Sequence, residues 1–147
     1  MEFKTQAQES TYNRIGDFLD SFLGSDNVHR IGQRYVVREG SALIEVRALA
    51  WGDDESLVNC ASTVVRGATL APELMRFLLQ KNRELPFGAF GVDEDGDIVF
   101  DYSMPGDALN KSLLRIAVKA VAAVSDNYDD EIVSQWGGKT SMQFLKE

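Results

Sequence analysis

The chain has 147 residues, the length of one ordinary domain, and at 44% hydrophobic it can fill one sizeable core. A formal net charge of −8 at pH 7, with no run of Lys or Arg, excludes a reader of phosphate backbones and disfavours anionic membrane surfaces, so neither nucleic acid nor a membrane is an expected partner. The single cysteine, Cys60, excludes an intrachain disulfide; no apolar run reaches the ~18–20 residues of a membrane span, and Met1–Ser10 lacks a basic start followed by an apolar block, so the cytoplasm is the expected compartment.

Residues 1–6 are polar and expected to be loose. From Gln8 to Leu23 the spacing predicts a helix, with Tyr12, Ile15, Phe18, Leu19 and Phe22 on one face. Gly16 within it costs about 1 kcal/mol relative to Ala. Gly24-Ser25-Asp26-Asn27 is a stop. Three strands are predicted next: Gln33–Arg38, Ala42–Trp51 and Leu57–Arg66, joined by tight turns at Glu39-Gly40-Ser41 and at Gly52–Glu55. Turns this short make neighbours antiparallel. In the second strand Ile44, Val46, Ala48 and Ala50 alternate against Leu43, Glu45, Arg47, Leu49 and Trp51. In the third, Val58, Cys60, Ser62 and Val64 alternate against Leu57, Asn59, Ala61, Thr63 and Val65.

Pro72 suits the first turn of a second helix, whose apolar face is Leu74, Phe77, Leu78 and Leu85, and Pro86 ends it. The stretch PFGAFGVDEDGDIVFDY, Pro86–Tyr102, reads as a hairpin turning at Asp95-Gly96. After Met104-Pro105-Gly106 the period lengthens. Leu109, Leu113, Ile116, Ala120 and Val124 mark one face of a long helix over about Asp107–Trp136. A break is expected near Asp126, whose carboxylate could cap a second segment. Gly137-Gly138 ends the pattern. The order α-β-β-β-α-β-β-α gives an α+β class, with one domain over residues 1–138 and a mobile tail over 139–147.

Catalytic chemistry has little to work with. His29 is the only histidine, lies beside Arg30 in a polar stretch, and is far in sequence from Cys60. One His and one Cys make neither a base–nucleophile pair nor a four-ligand zinc site. Gly88–Gly91 (GAFG) lacks the Lys and helix start of a phosphate loop. Asp93-Glu94-Asp95-Gly96-Asp97 fails as an EF-hand, which wants Gly sixth and Glu twelfth; here Gly is fourth and Met104 is twelfth. No catalytic residue, cofactor or resident metal is therefore expected. The candidate surfaces lie on the long helix. Lys111, Arg115 and Lys119 recur every four residues, as a wet stripe or as a docking surface for an acidic partner. Asp126, Asp129, Asp130 and Glu131, with Tyr128 and Trp136, read as a helix start, a cation site or a contact for a basic patch. Ala117, Val118, Val121 and Ala122 widen the apolar face enough to touch a second subunit as well as the helix's own sheet.

The order of elements resembles the type III secretion chaperone-like fold. PFGAFGVDEDGDIVFDY, the helix after it and SDNYDDEIVSQWGG resemble the YbjN-type family of sensory transduction regulators, its cyanobacterial and plastid branch in particular. The resemblance implies a five-stranded antiparallel sheet with helices against it, often a homodimer, and no established reaction. The expected function is a non-enzymatic protein-binding module, chaperone-like or regulatory, whose partner is another protein. The alternatives are a small-ligand or divalent-metal protein using the acidic clusters, and a structural assembly component.

Overall fold

The computed structural model describes residues 2–146; Met1 and Glu147, the outer ends of the expected loose start and tail, lie outside them. Helix α1 spans Gln6–Leu23, and the Thr5 side chain accepts from the Gln8 backbone N–H at its start. Phe3 and Lys4 before it are held in place: the Phe3 ring lies 5.1 Å from that of Tyr12, and the Lys4 N–H donates to Gln8. Tyr12, Ile15 and Leu19 are buried as the spacing predicts, while Phe18 and Phe22 pack at the margin of the core. Gly16 has a packing reason. A Cβ there would lie 2.4 Å from the Tyr35 hydroxyl oxygen, which donates to the Tyr12 carbonyl at 2.9 Å.

Among the described residues the sheet has seven strands instead of the expected five: β1 Val28–Ile31, β2 Arg34–Glu39, β3 Ala42–Trp51, β4 Glu55–Arg66, β5 Ala89–Val92, β6 Ile98–Pro105 and β7 Lys139–Thr140. The order is β1-β2-β3-β4-β6-β5, with β7 added to β4, and every pairing is antiparallel. The two additional strands are β1, four residues hairpinned to β2, and β7, two residues that only a long-range partner makes into a strand. Tyr35, Val37, Ile44, Val46, Val58, Cys60, Ile98 and Phe100 form the core side of the sheet. Near the end of β4 a bulge between Thr63 and Val65 adds a residue, so Val64 and Val65 are both buried and Arg66 turns to the opposite side. The sequence pattern had placed Val65 with Thr63.

Helix α2, Pro72–Glu84, packs beside β5, and its Phe77 meets Tyr128 and Trp136 of α3. The β5–β6 turn is a five-residue loop in place of a two-residue mirror turn. Asp95 keeps a negative φ and only Gly96 is positive, at 81°, so the chain makes an ordinary turn closed by a glycine bulge.

Helix α3, Lys111–Trp136, is one unbroken element of 26 residues, capped by the Asn110 side chain. No break forms at Asp126, because tertiary contacts override the weak helix formers there. Ser125 hydrogen-bonds to Ser62 across 3.2 Å, Asp126 accepts from the Ser41 hydroxyl at 2.5 Å, and Ile132 is fully buried. The buried seam is Leu114, Ala117, Val118, Val121, Ala122, Val124 and Ile132; of the predicted face Val124 and the preceding Leu109 are buried, while the seam is rotated enough to leave Leu113 41% and Ile116 60% exposed. The apolar width expected to reach a second subunit is therefore absorbed within one chain, by the sheet and α1.

Residues 139–146, read from the sequence as a tail, carry β7 and helix α4, Ser141–Leu145. Beyond Ala61, β4 no longer pairs with β3, and β7 takes the vacated edge at Val65 and Arg66. Here the chain leaves the helical side of the sheet and emerges on the other. Gly138 permits the passage: at φ 91° its Cα lies so near β4 that a Cβ would stand 2.6 Å from the Arg66 carbonyl oxygen.

Candidate functional site

Helices α1 and α3 pack on the core side of β3 and β4, and α2 joins them through Phe77, so the outer side of the sheet carries α4 alone. Strand alternation decides what that side shows. One apolar strip, interrupted by Glu45 between Val36 and Ala61, is Val36, Leu43, Ala61 and Val99; with Glu45, Thr63, Asp101, the neighbouring Arg66 and α4 these line a groove of about 530 Å³. A second strip is Leu49 directly opposite Leu57, near the exposed Trp51. Between the strips runs a polar ladder. Arg47 donates to Asn59 Oδ1 at 3.1 Å, and Asn59 Nδ2 donates to Asp101 at 3.1 Å and to Ser103 at 3.0 Å. Asn59 is only 3% exposed, so its amide is satisfied by these side chains. Arg34 pairs with Glu45 at 3.7 Å on the same side. Apolar strips flanking a fixed polar ladder suit a polypeptide segment whose side chains alternate in character.

Cys60 faces the core, and burial pushes its thiol up to about 12, so no thiolate forms near neutral pH. His29 is exposed on β1, on the opposite edge of the sheet from β5.

The residues singled out on α3 fall into separate environments. Lys111, Arg115 and Lys119 are exposed as a stripe. Lys119 lies 3.4 Å from Glu39, while Lys111 and Arg115 carry no ion pair among the described residues. Asp126 ties α3 to the β2–β3 turn through Ser41. Tyr128 sits edge-on to Phe90 at 5.7 Å and near Phe77, and Trp136 lies 5.4 Å from Phe77; these rings fasten α2 to α3 and leave little aromatic surface for a partner. Asp129 is half-buried. Loss of water, then the neighbouring charges of Asp130 and Asp126, raise its carboxyl to about 6, against hydrogen bonding from the Asp130 N–H. Asp130 and Glu131 are exposed. The acids do not converge on a point.

Three other carboxylates do. Asp93, Asp95 and Asp97 bring oxygens within 4.8 Å of one another at the β5–β6 turn. Their bonding is that of a turn: Asp93 accepts from the Asp95 and Asp97 N–H groups, and Asp97 accepts from the Gly67 N–H at 2.9 Å and meets Arg66 at 3.4 Å. The polar ladder was not foreseen. Its signal was present, since Arg47, Asn59 and Asp101 hold same-face positions in three strands, but only the register shows that they meet.

No curated protein matches the chain significantly. A chain in the crystal structure of the ExsC–ExsE complex superposes with a TM-score of 0.63 at 12% identity, covering 85% of this chain and 95% of that one, a likeness of fold. No helix among the described residues is long and apolar enough to cross a membrane. The family described as T3SS (YopN, CesT) and YbjN peptide-binding chaperone 1 matches residues 9–143, from the first turn of α1 into α4, and so takes in the whole sheet and both its sides. On that match, the chain belongs to the T3SS and YbjN peptide-binding chaperone family.

Proposed function

We propose that this protein is a non-enzymatic, chaperone-like module that holds a segment of another polypeptide on the outer side of its sheet, in the cytoplasm. One observation carries the reading: three helices cover one side of the sheet and leave the other, with its two apolar strips and its polar ladder, covered by α4 alone and otherwise open to a partner. The family's peptide-binding description agrees with it, as does the fold shared with a chain of a two-protein complex. Homodimerisation belongs to the same proposal. With the wide face of α3 used internally, its support moves to α2, where Leu79 is 67% exposed beside Leu70, Met75, Arg76 and Arg83. The stripe of Lys111, Arg115 and Lys119 is proposed as a peripheral contact for acidic residues of the partner.

The test is site-specific photocrosslinking in the native cell. A photoreactive residue at Leu49 or Ala61 should capture one partner segment repeatedly, and one at the exposed Ala123 of α3 should not. Equal or absent capture from the sheet positions would refute the assignment. Light scattering tests the dimer, which Leu79→Asp should convert to monomer.

A further inference from the structure

We infer that α4 is a built-in competitor, occupying part of the face on which the partner segment docks and yielding it to a segment of like chemistry; this rests on the reading of the outer face given above. The helix has only five residues and follows β7, whose two residues pair with β4 and stay in place when α4 lifts, so the release falls between Thr140 and Ser141. Its hold on the sheet is specific but slight. The Ser141 hydroxyl donates to the Thr63 carbonyl at 2.9 Å. The Phe144 ring receives the Arg66 guanidinium at 4.5 Å. Arg38 approaches the Met142 sulfur at 3.1 Å. Even so seated, Phe144 remains 47% exposed and Leu145 51% exposed, so α4 fills its end of the groove incompletely.

The occupant defines what the site accepts. A hydroxyl residue followed three and four positions later by an aromatic and an aliphatic side chain sets both apolar groups on one side of a short helical turn. That turn shares its groove with Leu43, Ala61 and Val99 and with the polar Glu45, Thr63 and Asp101, with Arg66 over the ring. The partner predicted for this end of the groove is thus a segment of another polypeptide with a hydroxyl–x–x–aromatic–aliphatic pattern, short enough to enter as one helical turn. Tethering gives α4 an effective local concentration on the order of millimolar, which sets the affinity a partner must exceed.

The probe is a fluorescein-labelled synthetic peptide carrying residues 139–147, read by polarisation against three proteins: the full chain, full-length Phe144→Asp, and the chain ending at Gly138. The expected result is binding to both altered proteins at least about tenfold tighter than to the full chain, and none by a scrambled peptide. Phe144→Asp keeps every backbone element, so it answers if the shortened chain fails to fold. Equal binding by all three proteins, or binding by none, overturns the inference. So does a dimer of the full chain that becomes monomeric when the tail is removed, which would assign the groove to the tail of a second copy. Crosslinking from Leu49 and Ala61 judges the underlying reading separately. Capture of a partner there at a yield unchanged by Phe144→Asp would sink the competitor while leaving the docking face in place. No capture from any of the proteins would remove the face itself.

Discussion

Asp129→Asn should stabilise this protein at neutral pH and much less at pH 4. The half-buried carboxyl of Asp129 is lifted from 3.8 to about 6, chiefly by loss of water and then by Asp130 and Asp126. A carboxyl raised on folding binds its proton more tightly in the folded state than in the unfolded one. Stability is therefore lost as pH climbs from the unfolded value toward 6, and the loss levels off above that. A fully dry group with this rise would cost about 3 kcal/mol, at about 1.4 kcal/mol per tenfold change in ionisation. Asp129 keeps much of its hydration, and solvent screening reduces the figure to about 1 kcal/mol. Asparagine retains the oxygen that accepts from the Asp130 N–H and carries no charge at any pH. Urea unfolding of both proteins at intervals from pH 4 to pH 8 reads the difference. It should be smallest at pH 4, grow through pH 5 and 6, and hold at about 1 kcal/mol above pH 7. A difference that does not vary with pH, or a variant weaker at pH 7, would refute the reasoning.

Gly16→Ala gains about 1 kcal/mol of helix propensity but drives a methyl into the Tyr35 hydroxyl and strains its bond to Tyr12; a net loss of about 2 kcal/mol is expected in denaturant melts, partly restored by adding Tyr35→Phe. Phe77→Ala removes the ring that joins Tyr128 and Trp136 to α2. It should cost about 3 kcal/mol, lower the melting temperature by roughly 6–12 °C and shift Trp136 emission to the red. Calcium at about 5 mM should move the melting temperature by less than about 1 °C, because the turn carboxylates of Asp93 and Asp97 already serve backbone N–H groups; a clear rise, lost in Asp95→Asn, would revive the cation reading.

What the sequence determined by itself was local. Period-two alternation in Ala42–Trp51 and Leu57–Arg66 set the faces of β3 and β4, Pro72 opened α2, and Asp95-Gly96 placed a turn between β5 and β6, because each signal acts over a few residues. What only the tertiary structure decided was wherever a distant partner outweighed local preference. Asp126 and its neighbours stay helical because Ser41 and Ser62 hold that stretch of α3 from the sheet. Val65 turns inward because a bulge adds a residue that no alternation shows. Lys139-Thr140 becomes a strand because β4 has left an edge unpaired, and that pairing delivers α4 to the outer side of the sheet. The ladder of Arg47, Asn59 and Asp101 likewise exists only through register. The docking face was thus beyond local reading, since its residues come from strands up to about sixty positions apart and meet only when the sheet is assembled.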